Sequence, residues 1–349
     1  MTNRRATALG LTVAITAMAL STAAQPADAQ GNAEHPWLLS SLLGDAKTEG
    51  ALTVYGSMNE QEALPLWNLF EDATGVKVSY VRSSDTQIMA RVAIENRARQ
   101  HTWDIAFTTT VPQLPSAYLA QFEPPEADRL MPQARDPEHR WYGGYANYNA
   151  PAYNTTFVKK AELPNSLDDF PAHKEWAGKI AIDDTDDEWL AAVCAFYGEE
   201  RGRTMVKSIV GALDPIITDG HLALARSVGA GEYWLALNNY LPLTLNVKMA
   251  GAPADFWLMD PVPLIFGSVG INVLAPHPNA ARLAANFALS QEAETFMTHK
   301  GRLPTRPDVA TNPPEVAGML KQHKIMPVVF NGDDQKKWQK LYNELFKSR

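Results

Sequence analysis

The residues of this chain best suited to hold a small molecule are hydroxylated and sit where apolar runs stop. LTVYGSMNEQE (52–62) breaks at Gly56 into Ser57-Met58-Asn59-Glu60, Ser83 and Ser84 follow VKVSYV (76–81), and Thr108-Thr109-Thr110 follow DIAF (104–107). A serine or threonine hydroxyl both donates and accepts, and the free N–H groups at a helix start add donors with partial positive charge. Ser57-x-x-Glu60, Ser84-x-x-Gln87 and Thr185-x-x-Glu188 have the spacing of capping boxes. One such box by itself stabilises a helix by ~1 kcal/mol. A series of them at strand ends describes the rim of a ligand site, because open parallel sheets bind outside the carboxyl ends of their strands. The expected first rim is Ser57, Met58, Ser83, Ser84 and Thr108 to Thr110. The expected facing rim is 183–188, 218–221 and 238–240, with Asp187 and Tyr240 reaching the ligand. The acidic run Asp183-Asp-Thr-Asp-Asp-Glu188 fits a cationic ligand or a metal, and equally the first turn of a helix.

Residues for catalysis are not arranged in a recognisable pattern. There is no G-x-S-x-G, and the 8 histidines form no H-x-x-x-H pair. Only His221 and His277 fall near the expected rims. The single cysteine, Cys194, lies in the apolar run LAAVCAF, can form no internal disulfide, and reads as a buried, inert thiol. A formal net charge of -8 lacks the basic face that nucleic acid requires. The pattern points to binding rather than turnover; a secreted hydrolase is the competing reading, and it would return a changed ligand.

The elements that must position these residues alternate. With 349 residues, 46% hydrophobic and 20% charged, the chain has the composition of a soluble two-domain protein. Its first 29 residues, with Arg4, Arg5, an apolar stretch and Ala27-Asp28-Ala29, read as a cleaved secretory signal peptide. No later run is long and apolar enough to span a bilayer. Strand-like runs at 52–55, 76–81, 104–107, 180–182, 216–218 and 233–237 alternate with helical patterns at 60–73, 86–99, 188–196, 203–210, 222–230, 279–296 and 333–347. WYGGYANYNAPAY (141–153) and FGSVGINVL (266–274) have no helical period and read as extended crossings. The expected fold class is α/β, with parallel-rich sheets in two lobes joined by two hinge crossings. The expected domains are 30–145 with 269–349 as a discontinuous first lobe and 146–268 as an inserted second lobe. A ligand held between the rims would be enclosed by clamshell closure.

The sequence resembles the substrate-binding proteins of bacterial ABC importers, in the branch that includes ferric-iron binding proteins. The resemblance rests on EGALTVYGSMNEQEALPLWNLFEDATGVKVSYVRSS (49–84), AYNT (152–155), EWAGKIAIDD (175–184), GEYWLALNNY (231–240), GAPADF (251–256), HPNAARLAANFALSQEAE (277–294) and GRLPTRPDV (301–309). It covers nearly the whole chain after the signal peptide. It implies a type II periplasmic binding protein fold, a periplasmic monomer without catalysis or a required cofactor, and delivery of a ligand to an ABC permease. The ligand is expected to be a small organic or oxyanion solute. The alternative is ferric iron, bare or chelated, as transported cargo. Iron-binding members use adjacent tyrosines; Tyr240 matches the first, Leu241 replaces the second, and Tyr153 would have to serve elsewhere in the cleft.

Overall fold

The computed structural model describes residues 34–100, 102–330 and 332–347; the expected signal peptide and His101 lie outside the described residues. The first part of the chain runs α1 (Ser40–Glu49), β1 (Ala51–Gly56), α2 (Glu60–Thr74), β2 (Lys77–Arg82), α3 (Asp85–Arg97) and β3 (Ile105–Thr108). After short 3-10 turns, the long strand β4 (Trp141–Asn154) leads into β5 (Ile180–Asp183), α4 (Asp187–Tyr197), α5 (Glu199–Leu213), β6 (Ile216–Thr218), α6 (His221–Ala230), β7 (Leu235–Tyr240), α7 (Leu241–Met249) and β8 (Ala254–Phe256). A second long strand, β9 (Val262–Ile271), returns to α8 (Pro278–Ala288), α9 (Gln291–His299), α10 (Glu315–Leu320), β10 (Ile325–Pro327) and α11 (Gly332–Phe346).

The strands follow the order β2-β1-β3-β9-β4-β7-β5-β6, with β10 on β9 and β8 on β4. β1 is parallel to β2 and β3, and β5 is parallel to β6 and β7. The two expected crossings are the antiparallel pair β4–β9, and both parallel groups are joined through it. Each group has its own core. Leu52, Val54, Leu66, Trp67, Phe70, Phe107 and Phe287 pack in the first, and Phe170, Trp176, Ile180, Ile182, Leu190 and Ile209 in the second.

Local sequence explains most elements. In α2 the buried Ala63, Leu66, Trp67 and Phe70 recur at helical spacing, and Gly75 ends the helix at φ 75°. The expected long helix over 279–296 is two, because Ser290 accepts from the Ala293 N–H and starts α9 afresh. α1 and α7 were not expected. α7 is buried at most positions, so it shows no amphipathic stripe. The last helix has the expected stripe but packs on the second core, through Leu341, Tyr342 and Phe346, rather than with the first lobe. Each such fully buried side chain contributes roughly 1.5–3 kcal/mol.

One close approach fixes the crossing. Tyr145 pairs with Gly267, and a Cβ on Gly267 would lie 1.9 Å from Tyr145 Cζ. The tyrosine ring therefore lies flat on bare backbone, between Phe107 (centroids 5.3 Å) and the Arg302 guanidinium (4.8 Å). Gly267→Ala should destabilise the protein by roughly 1–3 kcal/mol through overpacking. Gly211→Ala, where nothing lies within 4 Å, should be neutral or mildly stabilising. Urea titration of both variants checks this, and equal midpoints would contradict the packing of Tyr145.

Candidate functional site

Three strand ends of the first lobe converge. Ser57 does not cap α2 as its spacing suggests. Asn59 does so instead, its Oδ1 accepting from the Glu62 N–H at 3.2 Å. Ser57 thus turns to the neighbouring strand and donates to Thr108 Oγ1 at 3.2 Å, and Thr108 and Thr110 are 3.5 Å apart. Ser84 is the expected cap of α3, accepting from the Gln87 N–H, while Ser83 donates to Gln87 Oε1 at 2.6 Å. Met58 is placed otherwise than expected: its side chain is in the first core, and only its carbonyl is used, by the Tyr80 hydroxyl at 2.6 Å. Asp85, the first residue of α3, comes to lie beside Ser57 and Thr109.

The facing rim is organised by Asp183, at the end of β5. Its carboxylate accepts from the Thr185 N–H (3.1 Å), the Thr185 hydroxyl (2.6 Å) and the Gly220 N–H (2.6 Å). One buried side chain thereby clasps the β5–α4 turn to the β6–α6 turn. Thr185 is a turn residue and not the expected cap; Asp186 takes the N-cap position of α4. Asn238 donates to Asp186 Oδ1 at 2.8 Å. His221, the first residue of α6, has Nε2 3.7 Å from both the Asp183 and the Asp186 carboxylates. Its ring stacks on Tyr240 with centroids 3.8 Å apart, which orients the phenol toward Glu188 Oε2 at 3.5 Å. Glu188 is also approached across the cleft by Gln113 Nε2 at 3.4 Å, so the two rims touch.

The charges at this junction are mostly of one sign. Burial pushes the Glu188 carboxyl well above its usual range, and Asp187, Asp85 and Asp186 push it further. Burial lifts Asp186 to about 7, with His221 opposing and Asp183 reinforcing. Burial also raises Asp85, against Ser57, Thr109 and His221, which pull it down. Tyr240 is held as a neutral phenol by burial and by Glu188, Asp85, Asp186 and Asp183. Burial alone would lower His221, but Asp183 and Asp186 prevail and raise it. Asp85 Oδ1, Gln113 Oε1, Asp186 Oδ2 and His221 Nδ1 are buried without a hydrogen-bond partner.

Several expected contacts are not assembled. Tyr153 lies in the second core, edge-on to Trp257 with centroids 5.8 Å apart, and so is not beside Tyr240. Leu241 is fully buried in the first core and points away from the cleft. Asp187 turns toward Lys347 and Asp184, and its neighbour Glu188 takes the cleft position. Asp85, Gln113 and Tyr145 are not among the site residues expected from sequence, and Glu188 lies within the expected 183–188 rim, although Asp187 is its expected ligand contact. Tyr145 is buried at the crossing near Ser57, Asp85 and Arg302, and burial pushes its hydroxyl up to about 12. Among the described residues, no three His, Cys, Asp or Glu side chains converge as a metal site. No helix among them is long and apolar enough to cross a membrane.

Residues 115–332 match the family of bacterial extracellular solute-binding proteins. The iron-bound HitA of Pseudomonas aeruginosa superposes with a TM-score of 0.71 at 22% identity, covering 84% of this chain and 99% of that one. AfuA of Actinobacillus pleuropneumoniae, with fructose-6-phosphate bound, gives 0.75 at 22% identity over 86% and 99%. The ferric binding protein of Campylobacter jejuni gives 0.72 at 19% identity over 84% and 99%. At these identities the likeness carries the type II periplasmic binding protein fold, and neighbours with different ligands share it. By its matched sequence and its two-lobed architecture, this chain belongs to the bacterial extracellular solute-binding proteins, the ligand-capturing components of ABC importers.

Proposed function

We propose that the ligand is a small organic solute enclosed between Ser57, Asp85, Thr109 and Gln113 on one rim and Glu188, His221 and Tyr240 on the other. The observation that carries this reading is the Gln113–Glu188 contact between rims that converge on Tyr240. The moving bodies are the first lobe, 34–145 with 269–330, and the second lobe, 146–268 together with α11. They rotate about β4 and β9, and closure is a population shift set by contacts made only in the closed state. The chain is exported by its leader, works in the periplasm without catalysis, and hands its ligand to the permease. Ser83, Ser84 and Thr108 act at the margin and behind the first rim.

A second reading, ferric iron, draws on the hard oxygen donors of Tyr240, Glu188 and Asp85 and on neighbours that bind iron. It needs Tyr240 ionised, which the surrounding carboxylates oppose. On the organic-solute reading, ferric citrate added to the protein produces no visible tyrosinate–iron band. A band that disappears in Tyr240→Phe would establish iron instead.

For the ligand released from natively purified protein, identified by mass spectrometry, Tyr240→Phe should weaken binding by roughly 1–3 kcal/mol as a buried hydrogen bond is lost. Isothermal titration with unchanged affinity would remove Tyr240 from the site.

The buried acids also set a pH dependence of stability. Asp186 and Asp187 are each raised from 3.8 to about 7, so the native state keeps protons that the unfolded chain has released. Stability of the ligand-free protein therefore falls as pH rises through that interval. Glu294, raised to about 8 in the first core, adds to the same slope. The melting temperature should be higher at pH 5 than at pH 8, and Asp186→Asn should shrink the difference. A melting temperature that climbs toward pH 8 would contradict the burial of these groups.

A further inference from the structure

We infer that the solute carries a protonated nitrogen centre, an ammonium or guanidinium, seated between Asp85 of the first rim and Glu188 of the second. This rests on the proposed enclosure between the rims and specifies its ligand.

The unpartnered atoms at the junction are the first argument. Three of the four, Asp85 Oδ1, Gln113 Oε1 and Asp186 Oδ2, can only accept when the acids are ionised, the fourth being His221 Nδ1, and Gln113 and Asp186 are 7% and 2% exposed. Such atoms call for a ligand rich in N–H donors. The second argument is that the cations near the junction, among the described residues, are already engaged. Arg302 is committed to Glu62, at 2.8 and 2.9 Å, and to the Tyr145 ring. Lys347 lies 3.7 Å from Asp184, on the α11 side. His221 is the basic group beside Asp186, and its Nε2 is already shared, 3.7 Å from the Asp186 and the Asp183 carboxylates alike. The third argument concerns anions. The helix starts facing the junction are acidic: Asp85 opens α3 behind its Ser84 cap, and Asp186 and Asp187 open α4. A phosphate or carboxylate placed there would meet like charge, whereas a cation neutralises buried carboxylates that otherwise remain desolvated. This weighs against the oxyanion expected from sequence.

The test is thermal-shift screening followed by isothermal titration of the purified protein at pH 7.5. The probes are putrescine, agmatine, ethanolamine and glucosamine as cations, 1,4-butanediol and glucose as neutral solutes, and glycerol 3-phosphate and fructose 6-phosphate as anions. The expected result is binding by one or more of the cations and by none of the others, with Asp85→Asn and Glu188→Gln each weakening it at least tenfold. Both variants should melt no lower than the parent, since Asn and Gln keep the shape of the neutral carboxyl that burial already favours at each position. No binding by any cation, or binding indifferent to these two variants, overturns the proposal. The two readings fail separately. A neutral or anionic probe whose affinity falls in Tyr240→Phe and Ser57→Ala leaves the enclosure intact and removes the cation. A bound probe indifferent to all four variants removes the enclosure as well.

Discussion

The antiparallel ladder between β4 and β9 is the constraint on which the rest depends. It runs from Trp141 opposite Gly270 to Tyr148 opposite Leu264 and is the junction through which both parallel strand groups belong to one sheet. Two strands that both cross from one core to the other define an axis, and a body held by such an axis can rotate but not slide. The ladder is reinforced where it is most buried. Arg302 bonds Glu62 and approaches Asn147 of β4 at 3.4 Å, beneath the Tyr145 ring. Removing one member of a buried pair costs roughly 3–5 kcal/mol, because the other is left uncompensated. The cross-rim residues therefore have reproducible positions even though they come from chain segments far apart in sequence.

Within the second lobe, the equivalent constraint is the Asp183 carboxylate. It takes three donors from two turns, so the starts of α4 and α6 are fixed relative to each other. Glu188 and His221 inherit their positions from those starts, and Tyr240 inherits its orientation from His221. Tyr342 adds a link from α11, donating to the Asp183 carbonyl at 2.5 Å. The final helix thus buttresses the floor of the site, which explains why its stripe is matched to the second core.

The strand–helix alternation and both crossings were legible, because strand periodicity, glycine stops and helical stripes are local signals. The exact rim was less so. Ser57 and Thr185 have capping-box spacing, yet a tertiary partner took each away: Thr108 for the first, Asp183 for the second. Such competition has no local signature. Asp187 and Glu188 differ by one step of a helix that turns about 100° per residue, so a shift in where α4 begins decides which faces the cleft. Tyr145 and Tyr153 both lie in β4, but eight residues of strand separate them by about 26 Å. An aromatic-rich crossing announces that a tyrosine reaches the hinge without saying which. The partner lobe of α11 was likewise invisible, since an amphipathic stripe records that a helix docks and not where.

On the proposed reading, the arrangement of charge couples recognition of a cationic ligand to closure. When the rims are apart, Asp85 and Glu188 are hydrated separately and their repulsion is screened by water. Bringing them together removes that screening and raises the energy of the closed state. A cation between them reverses the sign of the interaction, and it does so only when both rims are present. A ligand shifts a conformational equilibrium only by its difference in affinity for the two states. Like charges on opposite rims supply that difference with no further device, since the group that makes the empty closed state unfavourable is the group that makes the filled one favourable. Protonation of the same carboxylates weakens both effects together, so affinity and closure must lose their grip on the ligand over the same pH interval.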